Sequence, residues 1–250
     1  NFPSSQNLGH TESMALPMGT VIRTEQMTSA RSQLHLMQLI SPNLPIGAFT
    51  YSQGLEYAVE RRWVRDFDSF EDWLTGLLQE NLTYIDIPVL KRIYEAVQKR
   101  DSDSLLKWCQ YLLASRESSE LRLEEIQRAK AMTKLLRDLK LQFDHEWSEP
   151  MQLCQACPYA LACVRWSIPI HQAMLGYAWG WLENQVAAGI KLVPLGQTDG
   201  QCLQLALSNK IPGEIEKSLN LKDEDLGASA VSMAIASSLH ETQYTRLFRS

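Results

Sequence analysis

The sequence predicts an all-α protein built as a single domain of roughly ten helices. Three observations point to this class. Apolar residues recur at three- and four-residue spacing in segment after segment of the 250-residue chain. No hairpin dipeptide sits between two alternating runs, and clusters of β-branched residues are scarce. No repeat period and no Gly/Ser-rich linker marks off a second domain.

The elements follow in order. The beginning is polar and lacks helical periodicity up to about Thr20, so residues 1–28 are expected to form a flexible extension ahead of a helical domain spanning 29–250. Met14, Met18 and Met27 each offer an alternative start, and no basic region leads into an apolar core as in a signal peptide. Ala30 to Ile40 reads as a helix stopped by Ser41-Pro42. Ser52 is placed to cap the next, with Leu55, Ala58 and Val59 inward. Asp68 or Ser69 caps a third carrying Phe70, Trp73 and Leu74, and a fourth begins or kinks around Pro88. Asp101-Ser102 opens a fifth. Ser118 or Ser119 opens a long sixth, whose outer face is expected to hold Arg122, Glu124, Glu125, Arg128, Lys130 and Lys134, with Glu124 and Arg128 as an i,i+4 pair. Past Pro150 and Pro158 come Tyr159 to Trp166 and Pro169 to about Val193. Gly196 to Gly200 breaks the pattern before helices over 201–207, 212–219 and 228–239.

Composition narrows the function. Hydrophobic residues at 45% and charged residues at 21% are the balance of an ordinary globular chain. A net charge of −5 gives no basic surplus for nucleic acid. The most apolar segment, Ile168 to Leu182, is interrupted by Pro169, His171 and Gln172 and falls short of the roughly 20 residues that a spanning helix needs. Five cysteines at irregular spacing suit a reducing cytoplasm better than a disulfide scaffold.

The chemical motifs are incomplete. Thr50-x-Ser52-x-Gly54 lacks the first glycine and the preceding strand of a nucleophile elbow, so Ser52 reads as a helix cap. No phosphate-binding G-x-x-x-x-G-K-[ST] loop occurs, and His240-Glu241 lacks the second histidine of a zincin because Tyr244 stands there. Cys154, Cys157 and Cys163, with His145 or His171 as a fourth ligand, make the best metal candidate, but the paired spacings of structural zinc are missing. Gly176 and Gly180, four apart, allow another helix to approach closely, in the core or across a dimer contact. Lys191, among Ile190, Leu192 and Val193, either snorkels to solvent or holds a charge near a partner. Leu247 and Phe248 between Arg246 and Arg249 form an interface-like composition in a tail expected to order only on a partner.

Four blocks, in order, resemble the urease accessory protein UreF family: LPIGAFTYSQGLE (44–56), RESSELRLEEIQRA (116–129), WLENQVAAGIKLVPLGQ (181–197) and HETQYTRLFRS (240–250). The resemblance covers about Ser32 to Ser250. Ala129 departs from an expected glycine, and the cysteine cluster is not a family feature. The resemblance implies a non-enzymatic, cofactor-free, dimerising helical scaffold of the cytoplasm. Its partners would be UreD (UreH in some organisms), the GTPase UreG and apo-urease, with GTP hydrolysis coupled to nickel insertion. It further implies Tyr51, Gln53, Glu56 and Lys191 on the UreG side, in contact or in control of GTP turnover, and Tyr244, Arg246, Leu247 and Phe248 on the UreD side. A chain that carries nickel itself through Cys154, Cys157 and a histidine is the competing expectation.

Overall fold

A computed structural model describes the backbone of residues 18–250, with side chains from residue 29 onward. Eleven α-helices, α1 to α11, follow one another, and no strand occurs among the described residues. α1 (Met18–Leu39) begins inside the segment expected to be flexible, and the rest of that expectation, 1–17, lies outside the described residues. The others are α2 (Leu55–Glu60), α3 (Phe67–Gly76), α4 (Ile87–Lys99), α5 (Ser102–Ala114) and α6 (Ser119–Asp138). After them come α7 (Ala156–Arg165), α8 (Ile170–Leu192), α9 (Gln197–Ser208), α10 (Ile211–Leu219) and α11 (Val231–His240).

α4 and α8 form the centre. α4 packs on α5, α7, α8 and α10, and α8 also receives α1, α2 and α9. The apolar stripe of α4, including Val89, Leu90 and Ile93, is fully buried, as its spacing requires. Small residues let neighbours approach α8. The ring of Phe70 fills the space where Gly189 lacks a side chain: a Cβ there would lie 2.1 Å from it. At Gly176 an added Cβ would lie 2.6 Å from Leu36 of α1, so this close approach is within one chain; at Gly180 it would meet only ordinary contact with Ile40. No helix of the described residues is long and apolar enough to cross a membrane.

Two local expectations change, and a third is met in a different setting. α3 is capped by Asp66, which accepts from the Ser69 backbone N–H at 3.0 Å while Ser69 Oγ accepts from the Asp66 N–H, a reciprocal box. α9 starts at Gln197, so Gly200 lies inside a helix, where Ile190 of α8 packs against its missing side chain. α4 begins at Ile87 with Pro88 in its first turn, as expected, but the chain before it is helical too. From Phe67 to Lys99 the chain stays helical, with a π segment over Leu77–Asp86 between α3 and α4. Proline has no N–H, so residue 88 can serve neither the carbonyl four residues before it nor the one five before it. Both find another donor: Tyr84 O accepts from the Gly227 N–H at 3.2 Å, and Thr83 O from Ser218 Oγ at 2.8 Å.

Candidate functional site

The irregular stretch from Leu44 to Gly54 carries backbone polar groups that no helix satisfies, and those groups need partners. The last residues of the chain supply some of them. Arg249 N–H donates to Thr50 O, and Ser52 N–H donates to Ser250 O, both at 2.8 Å. Ser52 Oγ also donates to Ser250 O and accepts from the Glu56 N–H at 3.3 Å. Ser52 therefore acts at the start of α2 and at the tail together, although Gly54 occupies the N-cap position. Gly54 is there for two reasons: its φ is +83°, and a Cβ would lie 2.8 Å from the Ser237 nitrogen of α11.

Glu56 anchors the tail. Its carboxylate accepts from the Leu247 N–H at 2.6 Å and from the Phe248 N–H at 2.8 Å. It also faces Nε2 of the fully buried His240 at 3.3 Å, whose Nδ1 meets Glu120 at 2.6 Å. Arg246 completes this group with a 2.6 Å bond to Glu120. Phe248 is buried, and Lys191 Nζ stands 5.7 Å from its ring centroid, within cation–π reach. The tail is thus ordered against its own domain, contrary to the expectation that it orders only on a partner. The irregular stretch and Glu56 provide enough acceptors and donors to hold it.

The residues expected to face UreG divide accordingly. Lys191 is exposed. Tyr51 and Glu56 are buried, and Gln53 is turned inward, where its amide oxygen accepts from Trp181 Nε1 and Gln185 Nε2 at 3.1 Å each. Of the tail residues, Tyr244 and Leu247 are fully and largely exposed, Arg246 is partly exposed and Phe248 is inside.

Beneath this surface lies an ionic cluster missed in the sequence. Gln53 Nε2 and Ser250 Oγ both donate to Glu124, at 3.0 and 3.1 Å, and Arg128 donates to it at 2.8 Å. Next to that group, Arg116 binds Asp86 in bidentate fashion and Glu125 through two of its nitrogens. Asn81 donates to Asp86 at 2.8 Å, and the Gln155 N–H donates to Glu125 at 3.0 Å. Glu124 and Glu125 are buried, not on the outer face of α6. Burial pushes the Asp86 and Glu124 carboxyls up from the usual carboxylate range. Burial also raises Glu125, but Arg116 and Arg128 outweigh it and hold this carboxyl below its ordinary value. Burial opposes the charge on Arg116, yet Asp86 and Glu125 outweigh it and keep the guanidinium charged. The cluster borders a cavity of about 50 Å³, also lined by Gln53, Tyr177 and Asn184.

The cysteines do not form the expected triad. Cys154 and Cys157 lie in one buried group with Cys109 and Met151; Cys163 lies apart beside Tyr159. Burial pushes the Cys157 thiol up, against the deprotonation that metal binding requires. Among the described residues no group of three or more His, Cys, Asp and Glu side chains is arranged to hold a metal ion.

The family model for UreF matches residues 64–208. The urease accessory protein UreF of Pseudomonas putida strain W619 is 49% identical over 224 residues, covering 90% of this chain and 100% of that protein. The protein of the same name from Alcanivorax borkumensis is 47% identical over 222 residues, 86% of this chain and 96% of its own. That of Alkalilimnicola ehrlichii is 48% identical over 219 residues, 88% and 96% respectively.

Proposed function

The chain belongs to the UreF family of urease accessory proteins, proteins that assist an enzyme and are not enzymes themselves, and from that premise we propose that it is a cytoplasmic, homodimeric scaffold of urease maturation. In this reading it bridges UreD (or UreH) and the GTPase UreG, and couples GTP hydrolysis to nickel insertion into apo-urease. Nickel is then the cargo of the assembly, and this chain needs no resident metal.

One observation carries the reading. Lys191, the irregular stretch and the tail, far apart in sequence, meet on one surface through Phe248 and Glu56. A partner on Tyr244 and Leu247 would touch residues held by Glu56 and covered by Lys191, so its binding could be felt by a second partner at Lys191. That is the physical requirement for coupling: two sites sharing one element whose state both can bias. Exposed Val231, Ile235 and Leu239 form an apolar row along α11 beside the tail and extend the surface offered to UreD.

The test uses exposed positions, so that folding is not in question. Leu247→Asp with Tyr244→Ala should remove UreD from a co-purification of the urease maturation proteins while leaving the melting temperature within about 2 °C, since exposed substitutions typically act within ~0.5 kcal/mol. Lys191→Ala should keep UreD and alter GTP turnover by UreG. Retention of both partners with unchanged turnover would refute the proposal.

A further inference from the structure

A hollow of about 450 Å³ lies where α6 ends, lined by Arg137, Lys140, Leu141, Phe143 and His145 among others, with no acidic side chain in its wall. The Arg137 guanidinium sits 5.1 Å from the Phe143 ring centroid, which fixes its direction. Lys130 and Lys134 stand exposed on the same face of α6, about two turns and one turn earlier. A helix end favours cations only within its last turn, so the macrodipole does not account for these two.

The cations here are unpaired within the described residues. None of Lys130, Lys134, Arg137 and Lys140 takes part in an ion pair. Two of the nearby acids are engaged away from the hollow. Asp144 binds Arg100 at 2.7 Å, and Glu146 accepts from Ser102 Oγ at 3.0 Å. Trp147 Nε1 donates to Ser102 as well, which pins the 145–148 turn. Asp138 is the one acid between residues 130 and 143. In a chain of net charge −5, four cations left in a row are out of keeping with the rest of the surface.

We propose that this row and hollow dock an acidic peptide segment of a partner protein, its carboxylates along Lys130, Lys134, Arg137 and Lys140 and one apolar side chain against Leu141 and Phe143. The cations supply orientation and on-rate, and the apolar floor supplies the anchor. From Glu120, beside the tail, to Arg137 is 17 residues of α6, about 25 Å at the helical rise, so this surface is separate from the tail surface and does not rest on its reading.

The experiment is fluorescence anisotropy of the full chain with labelled Glu-Asp-Glu-Leu-Glu-Asp-Glu. Saturable binding is expected, weakening roughly tenfold between about 50 and 200 mM salt. Lys134→Glu with Arg137→Glu should weaken it at least about tenfold at the lower salt, while Lys99→Glu leaves it unchanged. Phe143→Ser should weaken the leucine peptide more than its all-acidic counterpart, which loses only the fixed direction of Arg137. If the double variant melts early, Lys134→Glu alone gives the comparison. No saturable binding, binding indifferent to charge reversal, or inorganic pyrophosphate binding as tightly as the peptide would each overturn the proposal, the last by marking a general anion site.

Discussion

Replacing Glu56 by alanine removes the acceptor for two tail N–H groups and one of the two carboxylates that face His240. Each charge-assisted bond is worth roughly 1.5–3 kcal/mol. The tail, however, can lift off and let water satisfy its N–H groups. The loss is then limited by what undocking exposes, chiefly Phe248, whose burial is worth about 1.5–3 kcal/mol. The remaining carboxylate leaves His240 buried with half its partners, which adds to the cost. The expected destabilisation is about 2–4 kcal/mol, a drop of roughly 5–15 °C in melting temperature for a domain of this size. Glu56→Gln retains one acceptor oxygen and should lose about half as much. Amide exchange resolves the local event: Leu247 and Phe248 should lose protection in Glu56→Ala while the amides of α4 keep theirs at equal stability. If Glu56→Ala shifts stability by less than about 0.5 kcal/mol and the two tail amides stay protected, Glu56 does not hold the tail, and its candidacy as a partner contact returns.

Arg116→Ala should cost about 3–5 kcal/mol, because Asp86 and Glu125 would stay buried without their cation. Asp86, already pushed up by burial, loses in that variant the cation that lowers it, so stability falls as pH rises through its folded-state pKa, and melting at pH 5 should recover part of the loss seen at pH 8. Gly54→Ala should lose at least about 2 kcal/mol by chemical denaturation, from its φ of +83° and the 2.8 Å approach of Ser237. The isolated chain should show no GTP binding in calorimetry at tens of micromolar protein, since no phosphate-binding loop is present.

The helical class was legible because α4, α5 and α10 keep their apolar stripes in phase, and Asp101 and Ser118 cap α5 and α6 where the sequence places them. The buried ionic cluster was not, because two adjacent glutamates near arginines read as a solvated face. The signal was one of phase. Glu125 lies four residues after Leu121 and four before Ala129, in line with Met132 and Leu136, all buried. A carboxylate in an apolar stripe needs a cation brought from elsewhere, and Arg116 lies before the helix, where periodicity does not place it. The tail was misjudged for a related reason. Position near the end of the chain suggested exposure, whereas the unpaired backbone around Thr50 and Ser52 was itself a request for an extended partner. The start of α9 was hidden by two glycines, one of which serves the contact with Ile190.

Pro88 exerts its influence far from its own helix. The carbonyl that it leaves open at Tyr84 is taken by Gly227, which fixes the chain just ahead of α11; α11 in turn carries His240, the neighbour of Glu56. A missing hydrogen atom in the centre of the molecule thus helps to set the address of the tail on the opposite side of the sequence. Restoring that atom with Pro88→Ala would offer the Thr83 and Tyr84 carbonyls a helical donor in competition with Ser218 and Gly227, and slacken a line running from residue 84 to residue 248. A substitution normally regarded as favourable to a helix would then be felt first at the tail, far along the sequence from position 88.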